Sequence, residues 1–192
     1  MNPQSVILFL SLLAVIAQLI VVVTVLAWAG GNLSRRFRQA LVDQLGPYAT
    51  HLALVVSLVA TLGSLYLSER AHFTPCRLCW YQRIAMYPQV ALHGAALIAR
   101  RRDVRLYSTT LAVIGGCISC YHMLLERFPN LETSVCEIAN PCTLIWTNRF
   151  GYLTIPTMAL SGFALLVTLH RLGAAYDKQR DSTEGREELE YS

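Results

Sequence analysis

The sequence predicts an all-α membrane protein: a four-helix transmembrane bundle preceded by one additional N-terminal transmembrane helix. Two observations carry this. Hydrophobic residues make up 54% of the 192 residues and charged residues only 15%, whereas a soluble domain carries roughly 25% charge. The chain also contains five largely uncharged runs, and a helix needs about 20 apolar residues to cross roughly 30 Å of hydrocarbon. The net charge of +4 is small and scattered, so it gives no reason to expect nucleic acid as a partner.

The first run, Val6 to Ala29, lies in a stretch with no charged side chain before Arg35. It reads as a retained span and not a cleaved signal peptide: it lacks a basic n-region, its apolar core is too long, and no clear small-residue cleavage site follows. Behind it, Leu33, Phe37, Leu41 and Leu45 recur every four residues opposite Arg35, Arg36 and Arg38. This spacing predicts a short amphipathic helix on the membrane surface, ended by Gly46-Pro47 and serving as an anchor.

Span two runs from Thr50 to Ser68. Span three, Ile84 to Ala99, contains Pro88, Gln89 and His93 and reaches full length only if its helix begins near Cys79, with Arg83 inside its first turns. Span four covers Leu106 to Leu125 and span five Gly151 to His170, with Pro156 near its start, as membrane helices tolerate. Basic residues concentrate after span one, between spans three and four (Arg100, Arg101, Arg102, Arg105) and after span five (Arg171, Lys178, Arg180). The positive-inside rule then puts those connectors in the cytoplasm and the N-terminus and the other two loops outside. Trp80, Tyr81, Trp146, Phe150 and Tyr152 cluster where helices should meet the outer headgroups. The acidic, polar C-terminal tail reads as disordered.

Four of the six cysteines fall in the two outward loops: Cys76 and Cys79 as a CxxC before span three, and Cys136 and Cys142 between spans four and five. Outside the cytoplasm each pair is a candidate disulfide. A helix starting at or just after Cys76 would direct its N-terminal N–H groups and partial positive charge at a thiolate. Arg83 lies one turn beyond Cys79 on roughly the same face. It suits either a snorkelling anchor or a hydrogen-bond donor to a quinone carbonyl. On spacing alone three readings of the four cysteines stay open: a redox relay between two pairs, two structural disulfides, or a four-thiolate zinc site. No acidic or histidine residue accompanies them at a ligand-like spacing, so no metal is expected.

The run Pro75-Cys76-Arg77-Leu78-Cys79-Trp80-Tyr81-Gln82-Arg83, continuing to Met86-Tyr87-Pro88, resembles the signature of the DsbB family of disulfide bond formation proteins. The short second loop and the run Phe150-Gly151-Tyr152 to Ile155-Pro156 resemble its short-loop BdbC-type branch. The resemblance divides the chain into residues 1–47 (first span and cytoplasmic connector), a DsbB-like four-helix domain over 48–172, and a disordered cytoplasmic tail over 173–192. It implies a protein-disulfide-forming, quinone-dependent thiol oxidoreductase of the cytoplasmic membrane. A DsbA-like thioredoxin-fold protein on the outer face would attack Cys136. The reduced loop pair would exchange with Cys76–Cys79, transiently through Cys142 with Cys76, and Cys79 would then face a quinone, ubiquinone or menaquinone, as a thiolate beside Arg83. His122 matches a family histidine placed near the quinone; read alone, a lone membrane histidine is more often a packing hydrogen-bond donor. The same parts could also run as a reductase.

Two features fall outside the family pattern. The sequence suggests no function for the first span and its basic connector beyond an extra anchor or an oligomer contact. Cys117 and Cys120 form a second CxxC inside span four, which suits either a further redox pair or packing. Packing is the expectation, because Ala112, Gly116 and Cys120 form a small-residue row at four-residue spacing.

Overall fold

The computed structural model describes residues 2–30, 32–99, 103–131, 136 and 140–190. Six helices account for most of them: α1 (Pro3–Ala29), α2 (Asn32–Leu45), α3 (Ala49–Glu69), α4 (Arg77–Ala99), α5 (Val104–Arg127) and α6 (Ile155–Glu190). Short 3₁₀ turns, Gly46–Tyr48 and Pro129–Leu131, follow α2 and α5. An isolated β-bridge joins Arg149 and Leu153, beside a turn in which Phe150 and Gly151 take positive φ, 55° and 80°.

Helices α3, α4, α5 and α6 form a ring in which each packs on the next, and α1 lies outside it against α6 and, more lightly, α3. Among the described residues, four helical stretches are long and apolar enough to cross a membrane: Pro3–Ala29, Arg35–Glu69, Val104–Arg127 and Ile155–Gly185. Helix α4 has the length, 23 residues, but carries Gln82, Gln89 and His93 on its buried face. The molecule is a multi-pass helical membrane bundle.

Side-chain size shows the solvent. Along α1 the buried positions include Ser11, Ala14, Ala17, Thr24 and Ala27, while Phe9, Leu19 and Leu26 stand outward at 56%, 59% and 63% exposure. Water would drive the large apolar residues inward; in lipid they gain nothing by burial, and small residues let helix backbones approach. Buried hydroxyls bond to the carbonyl one turn back, as Ser11 does to Ile7, Ser57 to Ala53 and Ser119 to Gly115. Each of these hydroxyls thereby finds its acceptor within its own helix and needs no partner that the hydrocarbon cannot supply.

Deep in the ring a polar cluster ties four helices together. His93 of α4 meets Ser57 of α3 at 3.4 Å, Ser108 of α5 at 2.9 Å and His170 of α6 at 3.1 Å. Thr109 holds the other nitrogen of His170 at 2.9 Å, and Ser108 donates to Gln89. The buried stripe Leu78, Gln82, Ala85, Gln89, His93 and Ala96 on α4 follows the helical period, so a polar stripe in an apolar helix is its sequence signal.

Three expectations are corrected. The tail expected to be disordered over 173–192 instead continues α6 as helix to Glu190. It is held against α2, the turn that follows it and α5: Tyr176 packs over Gly46, Gln179 donates to Asp43 at 3.2 Å, and Arg105 pairs with Asp177 at 2.9 Å. Its charges also pair along the helix, as Arg180 with Glu184. Tyr191 and Ser192 lie outside the described residues.

The surface stripe of α2 includes a residue the four-residue spacing passed over: Val42 is buried, Leu41 and Leu45 are half-buried, and Phe37 is 50% exposed. The Leu33 side chain, like Arg100, Arg101 and Arg102, lies outside the described set.

The third correction concerns α5. Its buried row is Ser108, Ala112, Gly115, Ser119 and His122, not Ala112, Gly116 and Cys120. Cys117 and Cys120 are exposed on the outer face.

Glycine at 115 is a close-approach residue. A Cβ there would lie 2.2 Å from Phe163 Cζ, whereas one at Gly116 would meet Leu160 at 3.8 Å. Gly115→Ala is therefore expected to destabilise the bundle by about 1–3 kcal/mol, the usual cost of overpacking, with Gly116→Ala near neutral. Thermal unfolding of the two purified variants in one detergent checks this.

Candidate redox site

The site forms where the start of α4 meets the end of α5. Pro75 cannot continue a helix from the preceding loop, and Cys76 becomes the cap of α4: its carbonyl accepts from Trp80 N at 3.1 Å and its sulfur accepts from Cys79 N at 3.4 Å. The two sulfurs are 3.0 Å apart as thiols. Cys136 and Cys142 are joined as a disulfide. All four belong to one packed cluster with Leu78, Ile118 and Leu125, so the structure brings together the two pairs that the chain separates by some 60 residues.

His122 stands at their junction. Its Nε2 is 3.1 Å from the Cys142 carbonyl oxygen and 3.7 Å from Cys76 Sγ, and its Nδ1 is 3.3 Å from Gln82 Nε2. A carbonyl only accepts, so Nε2 carries the proton, and Nδ1 accepts from the Gln82 amide. One imidazole thus ties the CxxC on α4 to the second loop. Gln82 was not singled out from sequence; it sits one turn before Met86 on the buried stripe of α4, and its role needs the α4–α5 register.

The second loop is tethered where it is described. Asn140 Nδ2 donates to the Pro75 carbonyl at 3.0 Å, and Trp146 stacks on Phe73 with ring centroids 4.9 Å apart. Cys142 is 1% exposed and Cys136 is half-buried. The loop disulfide therefore offers Cys136, not Cys142, to an incoming group.

On the other side of the cysteine pair lies an apolar cavity of about 330 Å³. Its polar lining is grouped at one end: Cys79, Gln82, Arg83, Tyr87 and Ser64. Arg83 donates to the Ser64 carbonyl at 3.1 Å and lies over the Trp80 ring, 5.0 Å from its centroid. The arginine is thus half-buried beside Cys79, with its guanidinium bonded to α3. His122 does not line this cavity; it lines a much smaller one with Cys76, Cys79 and Glu126. The two residues expected to act together therefore flank the cysteine pair from opposite sides. The sulfurs of Cys76 and Cys79 and a ring nitrogen of His122 all lie within 4.8 Å of one another, a proximity invisible to residue spacing.

Several influences act on the Cys76 thiol. The Cys79 S–H donated to its sulfur is the strongest, burial opposes it, and the contact with His122 adds to the first. The net effect pulls Cys76 down to about 4, so in the dithiol form it is the thiolate at neutral pH.

Residues 47–150 match the family model described as Disulfide bond formation protein DsbB. The chain is 44% identical over 117 residues to the Probable disulfide formation protein C 1 of Bacillus anthracis, covering 60% of this chain and 84% of that protein. It is 44% identical over 114 residues to the Disulfide bond formation protein C of Bacillus subtilis (strain 168), covering 59% and 83%. A Probable disulfide formation protein of Oceanobacillus iheyensis is 37% identical over 123 residues, covering 63% and 85%. No solved structure matches the chain.

Thiolate absorbance of the reduced protein, followed against pH, tests the site's electrostatics. Because the folded value lies below the ordinary one, the thiolate's stabilisation of the reduced fold is complete above the usual thiol range and is lost as pH falls through about 4. The titration midpoint of Cys76 is expected near that value, and to rise more in Cys79→Ala, which removes the first donor, than in His122→Ala.

Proposed function

Since this chain belongs to the DsbB family of disulfide bond formation proteins, and so has an oxidoreductase role in disulfide formation, we propose that it reoxidises a thioredoxin-fold thiol oxidase and delivers the electrons to a membrane quinone. The observation that carries the reading is the pairing of a loop disulfide with a CxxC that borders an arginine-bearing apolar cavity. Two structural disulfides would need neither the cavity nor the thiolate.

The exchange proceeds in balanced steps. A thiolate of the partner attacks Cys136, the accessible sulfur, and the Cys136–Cys142 bond breaks. The partner's second thiol resolves the mixed disulfide, and the partner leaves oxidised. The Cys142 thiolate then attacks Cys76 of the Cys76–Cys79 disulfide and displaces Cys79. Cys136 attacks Cys142, which restores the loop disulfide and leaves Cys76 and Cys79 reduced, the arrangement found here. Two electrons and two protons pass from this dithiol to the quinone, and the Cys76–Cys79 bond re-forms. The net change is partner dithiol plus quinone to partner disulfide plus quinol.

The chain's own groups serve these steps. His122 holds the Cys142 backbone beside Cys76 and stabilises the Cys76 thiolate. Arg83 offers fixed donors and positive charge where charge would develop on a quinone oxygen, in a cavity of low dielectric. The bundle would sit in the cytoplasmic membrane with its N-terminus and both cysteine loops outside and the α2 and α6 ends in the cytoplasm, following the basic residues.

A second reading is favoured by one observation, the Cys76, Cys79 and His122 cluster, which could hold a thiophilic metal. Metal analysis of the purified, reduced protein separates it from the first.

The direct test is single-turnover quinone reduction, followed optically, by purified protein supplied with a reduced thioredoxin-fold partner. Wild type is expected to form one quinol per partner disulfide, and Cys79→Ser and Cys136→Ser none. Arg83→Gln is expected to raise the quinone KM roughly tenfold, the loss of one charge-assisted hydrogen bond. Cys117→Ser/Cys120→Ser is expected to keep full activity. No quinol from wild type, with the loop disulfide surviving dithiol treatment, would overturn the proposal.

A further inference from the structure

We infer that α1, which precedes the segment shared with the family, forms one wall of a channel that binds the polyprenyl chain of the acceptor. This rests on the reading that the acceptor is a quinone. The cavity does not stop at the cysteine pair. On α3 its lining extends from Leu67 to Val55, twelve residues and so roughly 18 Å along the helix axis. Only the Cys79–Arg83 end is polar. Below it the walls are Val59, Val56 and Val55 of α3, Ala159 and Gly162 of α6, and α1. A long apolar channel with donors confined to one end suits a small polar ring on a hydrocarbon tail.

Helix α1 faces this channel with Leu10, Leu13, Ala14, Ile16, Ala17 and Ile20. Ala14 and Ala17 are buried, at 6% exposure each, and their small side chains leave the space open. The helix is held there by specific contacts. Gln18 donates to Ser161 of α6 at 2.9 Å and accepts from Tyr152 at 2.9 Å. Leu10 presses against Gly63 of α3, where an added Cβ would fall 2.9 Å from Leu10 Cδ2. Without α1, its side of the channel has no protein behind it and opens to lipid. The extra span thus replaces bilayer with a shaped wall along the acceptor's tail.

The test compares a short-chain with a long-chain quinone as acceptor for full-length protein in lipid nanodiscs, with the reduced partner saturating. Ala14→Phe fills the channel and Leu13→Ala strips its wall; Leu19→Phe, on the outward face of α1, is the control. The channel variants are expected to raise the long-chain KM about fivefold and to leave the short-chain KM within about twofold, while the control changes neither. Should Ala14→Phe fail to fold, Leu13→Ala carries the comparison. Equal effects on both quinones, or none on the long-chain one, would overturn the inference. So would a co-purifying phospholipid that neither quinone displaces. Failure of wild type to reduce either quinone would instead remove the quinone reading itself.

Discussion

The sulfur of Cys76 is where the constraints on this molecule meet. It caps α4, accepts the Cys79 thiol and lies against His122. A helix N-terminus concentrates unpaired N–H groups, and Pro75 forces the helix to begin at that point. The same start sets the rest of α4: Cys79 and Arg83 turn toward the large cavity, Gln82 turns toward His122, and His93 reaches the polar cluster deep in the ring. Moving the helix start by one residue would rotate every one of these groups by about 100°.

The apolar surroundings explain how such a face is kept. In hydrocarbon a polar group without a partner costs several kcal/mol, so the buried Gln82, Gln89 and His93 of α4 each bond to a neighbouring helix, through the side-chain oxygen in the case of Gln89. His93 and His170 join with Ser57, Ser108 and Thr109, and Gln82 joins with His122. Those bonds fix helix register more sharply than apolar packing can, because lipid and Leu are equivalent partners in a membrane. The precision of the cysteine site at one end of the ring follows from the hydrogen-bonded cluster deeper within it. Helix α1 contributes differently, by shape, as an outer wall that the four-helix ring does not need in order to close.

Much of this was legible in the sequence because membrane helices announce themselves by length and charge. The five long helices, the connector α2 and the start of α4 follow from uncharged runs, a four-residue stripe and a proline, although α4, with its polar stripe, is not among the stretches apolar enough to count as a span. That Arg83 lies near Cys79 followed from helix arithmetic alone. What failed depended on relations between helices. The rows Ala112–Gly116–Cys120 and Ala112–Gly115–Ser119 are both small, and only Phe163 packed on Gly115 decides which is buried. The helical tail depended on Tyr176, Gln179 and Asp177 finding partners on α2, the turn after it and α5, which composition does not encode. The junction at His122 joins Gln82, Cys76 and Cys142 from three separate segments, so no spacing rule could have assembled it. The unequal burial of Cys136 and Cys142 has the same origin.

The central claim is that the two cysteine pairs communicate through Cys76 and Cys142, held together by His122. The most direct measurement is disulfide mapping by mass spectrometry on the Cys79→Ser/Cys136→Ser double variant after mild oxidation in the membrane. The account predicts a Cys76–Cys142 bond as the dominant product, reduced in yield when His122→Ala is added. Recovery of both thiols unpaired, or pairing of either with Cys117 or Cys120, would contradict it.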